Sequence, residues 1–252
     1  MTTVGLLYPG HSAEDDYPRI EALLSGVNLP IVHTDAGEDA RRAVVPDGVA
    51  AAGTWAETTA AGRLAAGVEE LRLSGAESVV WASTSGSFGY GWEGAHEQIR
   101  SLALAAGLPA SSTSFGFVHA VREVGAGRVA VAAPYPKDVT EQFVRFLEAA
   151  GIEVASSRAG EAGSVAEVAA WGPERVLELV RAADDPGAQA VLVPDTALHT
   201  VGCLPQLEAA VGKPVLTANQ VTVWEGLRLA ERRGAWSDDL GALFARKELP
   251  GE

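Results

Sequence analysis

The chain has 252 residues, enough for one large α/β domain or two of half that size, and either buries a real core. A formal net charge of -14 argues against a nucleic-acid or anionic-membrane surface, both of which need clustered Lys and Arg, and leaves a small molecule as the default partner. A lone cysteine, Cys203, excludes an internal disulfide framework. The opening MTTVGLLYPG lacks the features of a signal peptide, no apolar run approaches the roughly 20 residues of a membrane span, and the expected location is therefore the cytoplasm.

In chain order, short apolar runs predict strands at Val4 to Tyr8, Ile31 to Thr34, Ser78 to Ala82, Arg128 to Ala133, Ile152 to Ala155, Ala190 to Pro194 and Pro214 to Thr217. Ala/Leu/Glu/Arg segments with helical spacing lie between them: Thr54 to Leu73, Glu93 to Ala106, Lys137 to Ala150, Pro173 to Ala183 and Gln220 to Arg233. In RVLELVRAA, Val176, Leu177 and Val180 make one apolar face that packs on a sheet. Alternation of this kind predicts βαβ units and parallel sheets.

A faint internal repeat emerges when strand ends are aligned. GLLYPG pairs with AVAAPYP, VVWAST with VLVPDT, and GLPASSTS with GKPVLTAN, so each half has a G-x-P entry to its last strand. Gly, Pro and Thr punctuate strands in any α/β protein. A true duplication would instead set two similar domains across a cleft.

Ligands of open α/β sheets bind beyond the carboxyl ends of strands. After Ala82 the chain reads STSGSFGYGWEGAHEQI, where Gly86, Gly89 and Gly91 admit close backbone approach and Ser83, Thr84 and Ser85 add hydroxyls, which together suggest a carboxylate cradle or else a flexible connection. It is neither a Walker loop nor a dinucleotide fingerprint. Asp195 ends the strand of VLVPDTALHT, where desolvation raises a carboxylate's pKa for proton transfer, or where the side chain caps the following turn. His199 follows four residues on, while His11, His33, His96 and His119 are scattered and no metal site is expected. Cys203, just inside an expected helix, is better read as an inert buried thiol than as a nucleophile. The Tyr135 hydroxyl reaches toward the same cleft, or packs under the Pro134/Pro136 turn. Asn219 stands where the last strand yields to a helix, a common capping position.

VGLLYPG, WASTSGSFGYG, VAVAAPYPKDVTEQF, VLVPDTALHTVGCLPQLEAAVGKPV and TANQVTVWEGLRLA together resemble the Asp/Glu racemase superfamily, in its maleate cis-trans isomerase and arylmalonate decarboxylase branch. The resemblance implies an α/β fold of two pseudo-symmetric, parallel-sheet, Rossmann-like domains with the active site in the cleft between them. The implied division is 1–113 and 114–224, with a C-terminal helix over 225–252 packing back on the first half. It further implies chemistry without metal or other cofactor on a small carboxylate, by way of an enediolate, and allows a homo-oligomer. Family cysteines fall at Ser83 and Asp195, and both are absent. Asp195, Ser83 and Tyr135 are then the expected catalytic residues, and Pro9, Thr84, Ser85, Gly86, Thr196, Ala197 and Asn219 the expected substrate contacts. The expected activity is a cofactor-independent lyase or isomerase on a malonate-, maleate- or keto-acid-like substrate. Its rivals are a hydrolase of a small amide or ester, and a member that only binds a metabolite.

Overall fold

The structure, a computed structural model, describes residues 1–10, 12–34 and 60–246. His11, the Thr54 to Thr59 start of one expected helix, and residues 247–252 lie outside the described residues.

Two parallel sheets organise the chain. In the first, β1 (Thr2–Tyr8) pairs on one side with β2 (Val27–Asn28) and β3 (Ile31–His33), and on the other with β4 (Ser78–Trp81), which pairs with β5 (Ala110–Ser112). In the second, β6 (Arg128–Ala133) lies between β7 (Glu153–Ala159) and β8 (Ala190–Val193), and β9 (Val215–Thr217) follows β8. Every residue of β1, β4 and β8 is buried, because a parallel sheet covered on both faces needs continuous apolar runs.

The helices are α1 (Asp16–Leu23), α2 (Ala60–Leu73), α3 (Ser85–Phe88), α4 (Gly91–Ala106) and α5 (Thr113–Glu123) in the first half. They continue with α6 (Lys137–Ala149), α7 (Val165–Ala169), α8 (Pro173–Ala183), α9 (Leu204–Val211) and α10 (Ala218–Leu229). The helix expected over 225–252 is in fact α10, which starts earlier and stops at Leu229. It lies on β1, β4 and β5 of the first sheet, with the Ser78 hydroxyl donating to Gly226 O at 2.8 Å. A Cβ on Gly226 would stand 2.1 Å from Val4 Cγ1, so only glycine lets the helix come this close.

The repeat read from the sequence is present in the backbone. Gly107 and Gly212 close α4 and α9 in the left-handed conformation, with φ of 60° and 65°. Pro109 O and Pro214 O then accept from Val79 N–H and Val191 N–H, both at 2.9 Å. The main core runs through both halves, joining Val4, Leu6 and Val80 to Val131, Leu192 and Leu216 around Phe117. Among the described residues no helix is long and apolar enough to cross a membrane.

Candidate active site

The carboxyl ends of β4 and β8 meet. Asp195 N–H donates to Thr84 Oγ1 at 3.3 Å, and Thr196 Oγ1 donates to Ala82 O at 3.1 Å, so each strand end holds the other. These crossed bonds bring Thr84, Asp195 and Thr196 together, with Ser83 next to Thr84 in the chain.

Asp195 has a φ of 93°, outside the allowed regions for most L-residues and a strain of about 1–3 kcal/mol. Its Oδ1 accepts from Ala197 N–H at 2.8 Å, which partly offsets that cost and makes it a cap for its own turn. Asp195 is surrounded by protein and a small part of its surface stays accessible. Burial pushes its carboxyl up from 3.8 to about 6, while the Ala197 N–H draws it back. The capping and proton-transfer expectations are thus compatible: one oxygen caps, and the acid still titrates close to neutrality.

Tyr135 follows β6 directly. Its ring is wholly buried, packed edge-on to Phe88 at 5.8 Å between centroids. Burial raises its phenol well above the ordinary value, as does the charge of Asp195, and the nearby Thr84 and Ser85 hydroxyls temper the rise. None of them closes a hydrogen bond with it, and the phenol oxygen has no partner among the described residues. A buried polar atom left open in this way is costly and asks for a ligand or a water.

The remaining expected residues divide. Ser83 is buried and its Oγ accepts from Gly86 N–H at 3.2 Å, leaving its proton available. Thr84 O accepts from Ser114 Oγ at 2.8 Å, which holds Thr84 still and leaves its own hydroxyl proton free to donate. Ser85, the first residue of α3, is half-buried. Pro9 is half-buried in the turn at Gly10, where φ is 106°. The Ala197 N–H is engaged by Asp195.

Two expectations need correction. The glycine-rich stretch after Ala82 is not a loop but the helices α3 and α4. A Cβ on Gly86 would stand 2.6 Å from Ser83 Oγ, so this glycine makes room for a serine rather than for a ligand. Asn219 is buried and already occupied: its Nδ2 donates to Asp16 Oδ2 at 3.1 Å and to Leu198 O at 3.2 Å, and its Oδ1 accepts from Tyr17 at 3.0 Å. Cys203 ends a 3-10 turn, Val201–Cys203, ahead of α9; it is buried, and burial beside Asp16 pushes its thiol up to about 11. His199 pairs with Asp15 at 2.9 Å.

Two further polar residues brace this region. Tyr8 OH donates to Thr196 O at 3.0 Å, accepts from Ala13 N–H at 3.0 Å and bonds Ser12 Oγ at 2.7 Å. Asp16, completely buried, accepts through Oδ2 from Thr200 N–H at 2.9 Å and Val201 N–H at 3.3 Å. A sequence signal for Tyr8 was its place at a strand end. Asp16 gave none, because its partners lie nearly two hundred residues away. Among the described residues no three His, Cys, Asp or Glu side chains gather to hold a metal ion.

A family model described as arylmalonate decarboxylase matches residues 51–244. A maleate isomerase from Alcaligenes faecalis is 33% identical over 124 residues, 48% of this chain and 48% of that protein. An arylmalonate decarboxylase from Bordetella bronchiseptica is 29% identical over 142 residues, 56% and 59% of the respective chains. The chain spans about half the length of the curated relatives it matches. A liganded double mutant of arylmalonate decarboxylase superposes with a TM-score of 0.79 at 25% identity, covering 97% of this chain and 99% of the other.

Proposed function

The chain belongs to the arylmalonate decarboxylase family, and from that premise we propose a cofactor-independent lyase or isomerase that acts on a small carboxylic acid through an enediolate-type intermediate. The observation that carries the proposal is the open, buried phenol of Tyr135 beside Thr84 and Ser85, near Asp195, an acid that is largely enclosed.

Three neutral hydroxyls suit a substrate carboxylate whose negative charge grows along the reaction. Preorganised donors aimed at charge that develops only in the transition state are among the largest catalytic contributions, about 2.7–4 kcal/mol for one donor. In a decarboxylation, the bond from the α-carbon to the leaving carboxylate breaks and carbon dioxide departs. The electron pair spreads into the carboxylate held by Tyr135, Thr84 and Ser85. Asp195 in its acid form then gives its proton to the α-carbon, and solvent reprotonates it through its accessible edge. In an isomerisation of the tautomerising kind, Asp195 as carboxylate takes the α-proton and, as the acid so formed, delivers it to another atom of the delocalised anion. A pKa of about 6 serves either direction near neutral pH.

The test is proton NMR in D₂O with substituted malonates, maleate, aspartate and 2-hydroxy or 2-oxo acids, each with the parent protein and with Asp195→Asn. Deuterium at the α-carbon, or release of carbon dioxide, by the parent alone is the expected result. Thermal stabilisation by an acid without any chemical change would overturn the proposal in favour of a binding protein. Solvent ¹⁸O entering the product of an amide or ester would instead assign a hydrolase.

A further inference from the structure

We infer that Asp16 is a positioning residue for Asp195, a buried latch from the first half of the chain that holds the turn after β8 in its strained form. The inference rests on the proton-transfer role proposed for Asp195.

Asp195 is the second residue of a seven-residue connection, Pro194 to Thr200, between β8 and the 3-10 turn at Val201. The chain after a strand has no ladder to keep it in place, and a φ of 93° persists only where the surroundings over-determine it. At the Asp195 end the hold comes from Thr84 Oγ1, Ala82 O and Tyr8 OH, as described above. At the far end it comes from one carboxylate. Asp16 Oδ2 takes the N–H groups of Thr200 and Val201, and through Asn219 Nδ2 it also fixes Leu198 O. Tyr17 OH orients Asn219 from the other side, at 3.0 Å from its Oδ1. Two backbone N–H groups of the turn therefore depend directly on Asp16, and Leu198 O depends on it through Asn219, which Tyr17 shares in holding.

That side chain is costly to keep. Asp16 is completely buried, no cation pairs with it at contact distance among the described residues, and its Oδ1 has no partner among them. Burial raises its pKa, against the pull of Thr200, Asn219 and Val201, with the charge of His199 in the same direction. Packing alone would be served better by an apolar residue of similar volume. What the acid alone supplies is an acceptor for several N–H donors at one point, which a turn needs and an apolar side chain lacks.

Loss of this acceptor lets the turn relax, returns Asp195 toward an ordinary φ and opens its carboxyl to water. The phenols of Tyr8 and Tyr135 lie near Asp195 and are neutral where it titrates, its charge raising theirs; what bears on its own titration is burial and the Ala197 N–H, and Asp16 acts on it through the backbone.

The experiment compares the parent with Asp16→Leu, which keeps the side-chain volume and removes the acceptor, by ¹³C-detected titration of the Asp195 carboxyl, alongside turnover on whichever acid the D₂O panel identifies. The Asp195 inflection is expected near 6 in the parent and lower by at least about half a unit in the variant, because re-exposure to water favours the charged form. Turnover is expected to fall about tenfold or more with KM changed less than threefold, since the donors that hold the carboxylate are untouched. An unchanged inflection in a folded Asp16→Leu protein would overturn the inference whether or not the parent proves to be an enzyme. If the parent shows no chemistry with any acid, the proposed activity fails and the titration still decides the latch. Should Asp16→Leu not fold, Tyr17→Phe, which removes only the hydroxyl that orients Asn219, is read by the same shift and the same criterion.

Discussion

The turns that follow β4 and β8 occupy matching places in the two halves and do different work. After β4 the chain passes at once into a helix, and Thr84 and Ser85 present neutral hydroxyls on unstrained backbone, with φ of -84° at Thr84. After β8 it takes a φ of 93° and presents an acid. The tyrosines near β1 and β6 repeat the asymmetry: Tyr8 has its hydroxyl committed to Thr196, Ala13 and Ser12, whereas that of Tyr135 is open. A repeated frame thus carries chemistry of two kinds. Under the proposed function, hydroxyl groups whose protein bonds are complete belong to the frame, and those left open at the strand ends are the ones offered to the substrate.

The sharpest way to break this comparison is Asp195→Asn. Turnover is expected to fall by about 10² or more, because the proton-transfer group is lost while the donors remain. Stability is expected to rise. A carboxyl whose folded pKa stands above its unfolded value destabilises the fold progressively as pH climbs from about 4 to about 6, and fully above that. Two pH units correspond to about 2–3 kcal/mol, so thermal unfolding of Asp195→Asn should exceed that of the parent at pH 8 and match it at pH 4. Asparagine also tolerates a positive φ and keeps the acceptor for Ala197. Equal stability of the two proteins at pH 8 would mean that Asp195 is solvated and ordinary. In the parent, a decarboxylation that uses the acid form should hold its rate below pH 6 and lose about tenfold per unit above it.

The paired tyrosines sharpen the same contrast with opposite signs. Tyr135→Phe removes an open hydroxyl, so kcat/KM should drop by about 10² while stability stays level or gains about 1 kcal/mol. Tyr8→Phe strips a partner from the buried Ala13 N–H and from Thr196 O, and should cost roughly 2 kcal/mol or more in stability. Urea unfolding of both variants with turnover measured on each distinguishes the cases. Two variants with the same balance of lost activity and lost stability would dissolve the distinction between frame and ligand-facing hydroxyls.

Much of this frame was legible because its strands are continuous apolar runs: β1, β4, β6 and β8 are readable from composition alone. The helix α5 was not, and its burial explains why. Residues from Thr113 to Phe117 and on to Val121 are buried with little interruption, so the 3.6-residue contrast between faces that betrays a surface helix is missing. Helix α1 was hidden for another reason, the Pro18 and the acids within its first turn. In the site, Asp195 and Tyr135 stand at strand ends where the sequence alone directs attention. Asn219 misled because its type and place suit a cap or a contact equally, and its bonds to Asp16, Tyr17 and Leu198 close distances that no local pattern encodes. The glycines misled because a missing Cβ looks the same whether it makes room for a ligand or, as at Gly86, for a neighbouring serine.

The smallest expected effect concerns Cys203, the one thiol in the sequence. It is buried in the second-half core with Val191 and Leu207, its Sγ donates to Thr200 O at 3.4 Å, and its thiol is raised to about 11. At pH 8 such a thiol is thiolate at on the order of one part in a thousand, and burial denies it a reagent. Iodoacetamide should therefore modify the native protein far more slowly than the urea-unfolded chain. Cys203→Ala should leave turnover within about twofold while costing about 1–2 kcal/mol for the lost packing. Fast alkylation of the native protein with matching loss of turnover would transfer the chemistry from Asp195 to a thiol. The contrast between the two strand ends would then describe binding alone.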